Sequence, residues 1–108
     1  MMNQMTDTLA VLCTCANEDD AVRIANQIVE QRLAACVNIL PRMRSIYRWQ
    51  DRIESEEEIL LIIKTTQERF PALRDRIVSL HPYETPEIIA LPVADGFEKY
   101  LTWLRTQV

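Results

Sequence analysis

Glycine is almost missing from this 108-residue chain; Gly96 is the only one. The loops that cradle phosphates, of the dinucleotide-binding or the P-loop type, need several glycines within a few residues, so neither exists here. Histidine is as scarce, with His81 alone. No HxxxH or CxxC pair supplies a familiar zinc-site spacing. Three cysteines is an odd count that gives no disulfide framework and fits a reducing compartment, so the expected location is cytoplasmic. No apolar run approaches the roughly 18 residues of a membrane span. The opening MMNQMTDTLAVLCTC has no basic n-region and no small-residue cleavage site, so it does not read as a secretory signal. Positive charge is in deficit: 12 Lys and Arg stand against 16 Asp and Glu, a net charge of −4. Nucleic acid and anionic membrane surfaces select basic proteins, so neither is an expected partner.

What is present is ordinary for a folded domain: 48% hydrophobic and 26% charged residues. The length suits one domain with a real core. The reading is a single domain over 1–108, with 1–7 as a loose leader.

The stretch ACVNILPRMRSIYRWQDRIESEEEILLIIKTT dominates the pattern. It reads as two long strands, 35–50 and 55–66, joined by a tight turn near Asp51 and Arg52. In the first, Val37, Ile39, Met43, Tyr47 and Trp49 share one parity. Asn38, Arg42, Arg44, Arg48 and Gln50 share the other. Period two makes one face oily and the other cationic. The second strand opens with Glu56, Glu57 and Glu58 opposite the arginines, placed for cross-strand pairs. It then runs from Ile59 to Ile63, apolar on both faces. Pro41 has no N–H for a ladder and belongs at an edge or a bulge. An exposed edge is a pairing template. Both arms outrun the usual five or six residues, so something must cover the excess, and a second copy of the chain is the leading candidate.

Residues 8–15 read as a central strand, with Leu9, Val11, Cys13 and Cys15 on one face and Ala10, Leu12 and Thr14 on the other. Asn17 caps an amphipathic helix over 17–33, with acids in its first turn. Phe70, Leu73, Ile77 and Leu80 mark a second helix over 67–80, with Pro71 tolerated near its start. Residues 87–93 form a fourth strand. Asp95 with Glu98 three residues on reads as a capping box for a short closing helix. The order strand-helix-strand-strand-helix-strand is the ferredoxin-like α+β unit. Right-handed crossovers give an antiparallel sheet of order 4-1-3-2 with both main helices on one face. Strands one, three and four are apolar on both faces, so the bare face requires another subunit.

In that topology the end of strand one meets the end of the second helix. A soft-metal pair can therefore form from Cys13 or Cys15 with His81, suited to copper or zinc. Cys36 lies two strands away, beyond disulfide reach. The structural alternatives are a buried cysteine as a core residue and His81 as a helix-end cap. A cysteine–histidine nucleophile would need an orienting group and an oxyanion site, and neither is evident, so no enzyme is expected.

VLCT, RLAACVNI, Tyr47-x-Trp49, IIKTT, HPYETPEIIALPV (His81–Val93) and YLTWL (Tyr100–Leu104) together resemble the CutA family, the divalent-cation tolerance proteins. The resemblance implies a stable ferredoxin-like homotrimer whose hairpins cross subunits and which binds copper or another divalent cation. It implies metal ligands at a strand-one cysteine and a histidine pair before Pro-Tyr. The matching positions are Cys13, Leu80 and His81, so one histidine of the pair is leucine here.

The expected function is thus a homotrimeric, non-catalytic, copper-type divalent-cation binder involved in metal tolerance, with Cys13 and His81 as ligands and no organic cofactor. The alternative is a signalling trimer resembling the PII proteins. Its small ligand would sit in a cleft between subunits near Trp49, Lys64, Tyr83 and Glu84.

Overall fold

The computed structural model describes residues 6–108. Most of the expected leader, residues 1–5, lies outside the described residues. Its end is held: the Thr6 hydroxyl donates to the Val93 carbonyl at 2.7 Å, and Asp7 pairs with Arg105 at 2.8 Å.

The elements are β1 (Thr8–Cys15), α1 (Glu18–Glu30), β2 (Cys36–Trp49), β3 (Arg52–Thr66), α2 (Phe70–Leu80), β4 (Ile88–Pro92) and α3 (Glu98–Thr106). The sheet has order β2-β3-β1-β4, and every neighbouring pair is antiparallel. This is the expected α+β arrangement.

Local chemistry sets the boundaries. The Asn17 side chain accepts from the Asp20 N–H at 2.8 Å and starts α1. The helix stops three residues before the expected Leu33 because Arg32 takes φ 59°, the left-handed conformation that closes helix C-termini. α2 begins at Phe70 rather than Gln67, with Pro71 in its first turn. The capping box at α3 does not form. Asp95 accepts from the neighbouring Gly96 N–H instead, and Phe97 holds the N-cap position.

Under α1 and α2 the sheet presents Val11, Cys13, Cys15, Leu61 and Ile63, all fully buried, against Ile24, Ile28, Leu73 and Ile77. The next residues along each strand face the opposite way. Leu12, Leu60 and Ile62 are half-buried there, and Ile89 and Leu91 are 48% and 45% exposed. α3 packs against β3, and its buried Leu101 and Leu104 lie outside the main core cluster.

The hairpin departs from the sequence reading in two ways. Its turn centres on Gln50 and Asp51, one residue earlier than expected, with φ 51° and 65°. Two consecutive left-handed residues define the tight hairpin turn that matches strand twist and favours an asparagine followed by a glycine. Neither residue here is glycine. The double substitution Gln50→Asn with Asp51→Gly is expected to raise stability by about 1 kcal/mol. A urea midpoint unchanged or lowered would contradict the assignment.

The second departure is a bulge. Leu40 pairs with Leu60 but Met43 pairs with Glu58, so β2 carries one extra residue at Pro41–Arg42, and Arg42 has φ 60°. One inserted residue exchanges the two faces of everything beyond it. Val37 and Ile39 pair with Ile63 and Leu61 and face the helices; Met43, Tyr47 and Trp49 pair with Glu58, Glu54 and Arg52 and face the other way. The single oily face expected along β2 is therefore two half-faces on opposite sides.

Candidate functional site

β1 places Cys13 and Cys15 two residues apart on the helix side of the sheet, and both are fully buried. His81 is the C-cap of α2, and its own N–H bonds the Ile77 carbonyl at 2.8 Å. The helix end thereby delivers the imidazole to the end of β1. The ligating atoms of Cys13, Cys15 and His81 all lie within 4.8 Å of one another.

Both imidazole nitrogens are occupied. The Tyr83 N–H donates to Nδ1 at 3.1 Å, so Nδ1 is an acceptor and the proton sits on Nε2. Nε2 then donates to the Thr14 carbonyl at 2.8 Å, one residue past Cys13, the last β1 position paired with β4. The Cys15 sulfur stands 3.8 Å from the same nitrogen. His81 is thus a strap between β1 and the loop after α2, as well as a member of the cluster. The Cys13 thiol is pushed well above its ordinary range, first by its hydrogen bond to Cys15 and then by burial. It is a neutral thiol unless a metal replaces its proton.

Two thiol sulfurs and one imidazole nitrogen converge, a donor set that suits copper or zinc. The two sulfurs can take such an ion as thiolates. His81 can join as third donor by exchanging its bond to Thr14. The sequence offered Cys13 or Cys15 as the partner of His81; the structure brings both to it, with the Cys15 sulfur within hydrogen-bonding reach of the imidazole. The parity of β1 already put the two cysteines on one face. Leu80 adds no ligand; its carbonyl accepts from Arg23 at 3.1 Å.

Beyond Tyr83 lies a cleft of about 740 Å³, walled by the hairpin on one side and by the loop 82–87 on the other, all within one chain. Trp49, Tyr83 and Glu84 line it. Lys64 does not. It is six residues along β3 from Glu58, roughly 20 Å at the strand rise, where its ammonium bonds the Asn38 side chain. The Tyr83 hydroxyl donates to Glu58 at 3.1 Å, and Tyr47 donates to Glu56. Glu57, between them in sequence, faces the other way and pairs with Arg42 and Arg44 at 3.7 and 3.9 Å. Sequence reasoning placed all three glutamates opposite arginines. The bulge is the reason only Glu57 meets them. Tyr47 and Glu56 were missed as cleft residues because the bulge sets which face they share.

Comparison with known proteins gives the family and agrees with the overall fold. The family profile described as CutA1 divalent ion tolerance protein matches residues 9–107. The divalent-cation tolerance protein CutA of Thermus thermophilus is 54% identical over 95 residues, 88% of this chain and 92% of that protein. Protein CutA of Homo sapiens is 51% identical over 96 residues, covering 89% of this chain and 54% of the human protein, so the chain spans about half its length. A solved structure of a CutA from Xylella fastidiosa superimposes with TM-score 0.93 at 43% identity, covering 95% of this chain and 99% of that one.

Proposed function

The chain belongs to the CutA1 divalent ion tolerance family, and on that footing we propose that it is a homotrimer that binds a copper-type cation and contributes to metal tolerance by holding the ion without turnover. The observation that carries this reading is the convergence of Cys13, Cys15 and His81 within 4.8 Å. The two sulfurs supply soft donors, the imidazole a nitrogen that also suits copper, and burial keeps competing water away. Self-association is supported by the half-exposed apolar face of Leu12, Leu60, Ile62, Ile89 and Leu91, which is unlike the surface of a solitary soluble protein. The three free cysteines are in keeping with a cytoplasmic location.

Copper titration tests the centre. Cys13→Ser and Cys15→Ser are each expected to weaken binding at least tenfold, since serine is a poor ligand for a soft ion. His81→Ala is expected to weaken it less, because the imidazole must first leave Thr14. Equal affinity in wild type and both cysteine variants would place any bound copper elsewhere.

A second reading, a small-ligand-binding trimer of the PII type, is favoured by one observation: Trp49, Tyr83 and Glu84 line a single cleft of small-molecule size. A saturable change in Trp49 fluorescence with a metabolite, in the absence of metal, would support it.

A further inference from the structure

We propose that the cluster of Cys13, Cys15 and His81 takes monovalent copper on its two sulfurs alone, and that His81 stays off the ion and sets that preference. This rests on the copper reading above and gives that site an oxidation state and a ligand count.

His81 is held from both sides. The Tyr83 N–H donates to Nδ1 at 3.1 Å, and Nε2 donates to the Thr14 carbonyl at 2.8 Å. Nε2 is also the nitrogen that faces Cys15, 3.8 Å from its sulfur. A neutral imidazole carries one proton, and only the bare nitrogen offers a lone pair. To ligate through Nε2, His81 must move that proton to Nδ1. The Nδ1–H and the Tyr83 N–H would then point at each other, and the buried Thr14 carbonyl would lose its donor. Two hydrogen bonds go at once, and buried groups left unpaired are costly. Ligation through Nδ1 would in turn displace the Tyr83 N–H. The sulfurs are held far more loosely: Cys13 reaches the Thr14 carbonyl only at 3.9 Å, and Cys15 reaches Nε2 at 3.8 Å.

The donor count then separates the ions. Zinc takes four ligands, or three with an open position for water. Divalent copper takes tetragonal sites of nitrogen and oxygen donors. The group here has three members among the described residues. Cys13 and Cys15 are fully buried and His81 is 7% exposed, so water does not complete a shell around them. With the imidazole tied, two thiolates remain, and thiolates select monovalent copper among the copper ions. Two thiolates around one such ion leave a single negative charge. The Nε2–H beside Cys15 faces that charge as a donor. The proton that keeps His81 off the ion thus also stabilises the sulfur that holds it.

His81 is the only histidine of the chain, so its ring nitrogens give one set of nitrogen-15 signals. The full chain is loaded with copper(I) in a reducing, oxygen-free buffer and, separately, with zinc, and competing chelators read both affinities. Copper(I) is expected to bind at least about tenfold tighter than zinc and to leave the proton on Nε2 in the NMR spectrum. Cys13→Ser and Cys15→Ser are each expected to lower copper(I) affinity at least about tenfold, and His81→Ala to keep it within about threefold. Zinc bound as tightly as copper(I), or a copper-loaded protein whose Nε2 has lost its proton, would overturn the inference and leave the metal centre standing. Copper(I) affinity unmoved by both cysteine variants would remove the centre itself and the inference with it.

Discussion

Ile62→Glu is expected to convert the assembly into separate folded chains. Ile62 sits at the middle of β3, between Leu12 on β1 and Asn38 on β2, and faces away from the helices. Leu60, Ile89 and Leu91 share that side. In a lone chain a glutamate there stays half in water, so the core under α1 and α2 is left alone. Against another subunit the same carboxylate is stripped of water with no partner, a penalty of several kcal/mol for each copy. Sedimentation velocity reads the result. Wild type is expected at three times the 12.6 kDa chain mass and the variant at one. A wild-type protein that sediments as one folded chain at dilute concentration would remove the reason for assembly.

His81→Ala is expected to destabilise the protein by about 2–4 kcal/mol in the presence of a chelator, when no metal can be involved. The substitution leaves the buried Thr14 carbonyl without its donor, frees the Tyr83 N–H, and opens a void beside Cys15. A histidine that served only as a ligand would be neutral or harmful in the metal-free protein, and its loss would cost nothing there. Denaturant unfolding of the chelated protein separates the two roles. An unchanged midpoint would show that the strap contributes no stability, and a fall of the stated size would give His81 a structural role independent of any metal.

Long apolar runs and helix punctuation made the architecture legible. Leu9 to Cys15 and Ile59 to Ile63 announced strands apolar on both faces, and Asn17 announced α1. The meeting of the β1 end with the α2 end also followed from topology alone, which brings Cys13 or Cys15 to His81; the family resemblance is what singled out Cys13. The faces of the hairpin did not follow. A period-two reading assumes an unbroken ladder, and Pro41 signals an interruption without saying how many residues it inserts. The extra residue at Arg42 decides that Tyr47 and Trp49 join Glu56 and Glu58 rather than Val37 and Ile39. Lys64 was grouped with a cleft between subunits; within one chain it lies along β3 away from the cleft that Trp49, Tyr83 and Glu84 line. The left-handed Arg32, Gln50 and Asp51 were equally hidden, since none is the glycine that normally marks such a position.

The break in β2 has a consequence for behaviour at high concentration. This strand of 14 residues forms one border of the sheet, and an uninterrupted border of that length would template fibril growth. Pro41 and Arg42 divide it into two short landings whose side chains point in opposite senses, so an incoming strand that matches one is out of phase with the other. The chain can carry a hairpin with arms of 14 and 15 residues without offering the continuous track on which amyloid stacks.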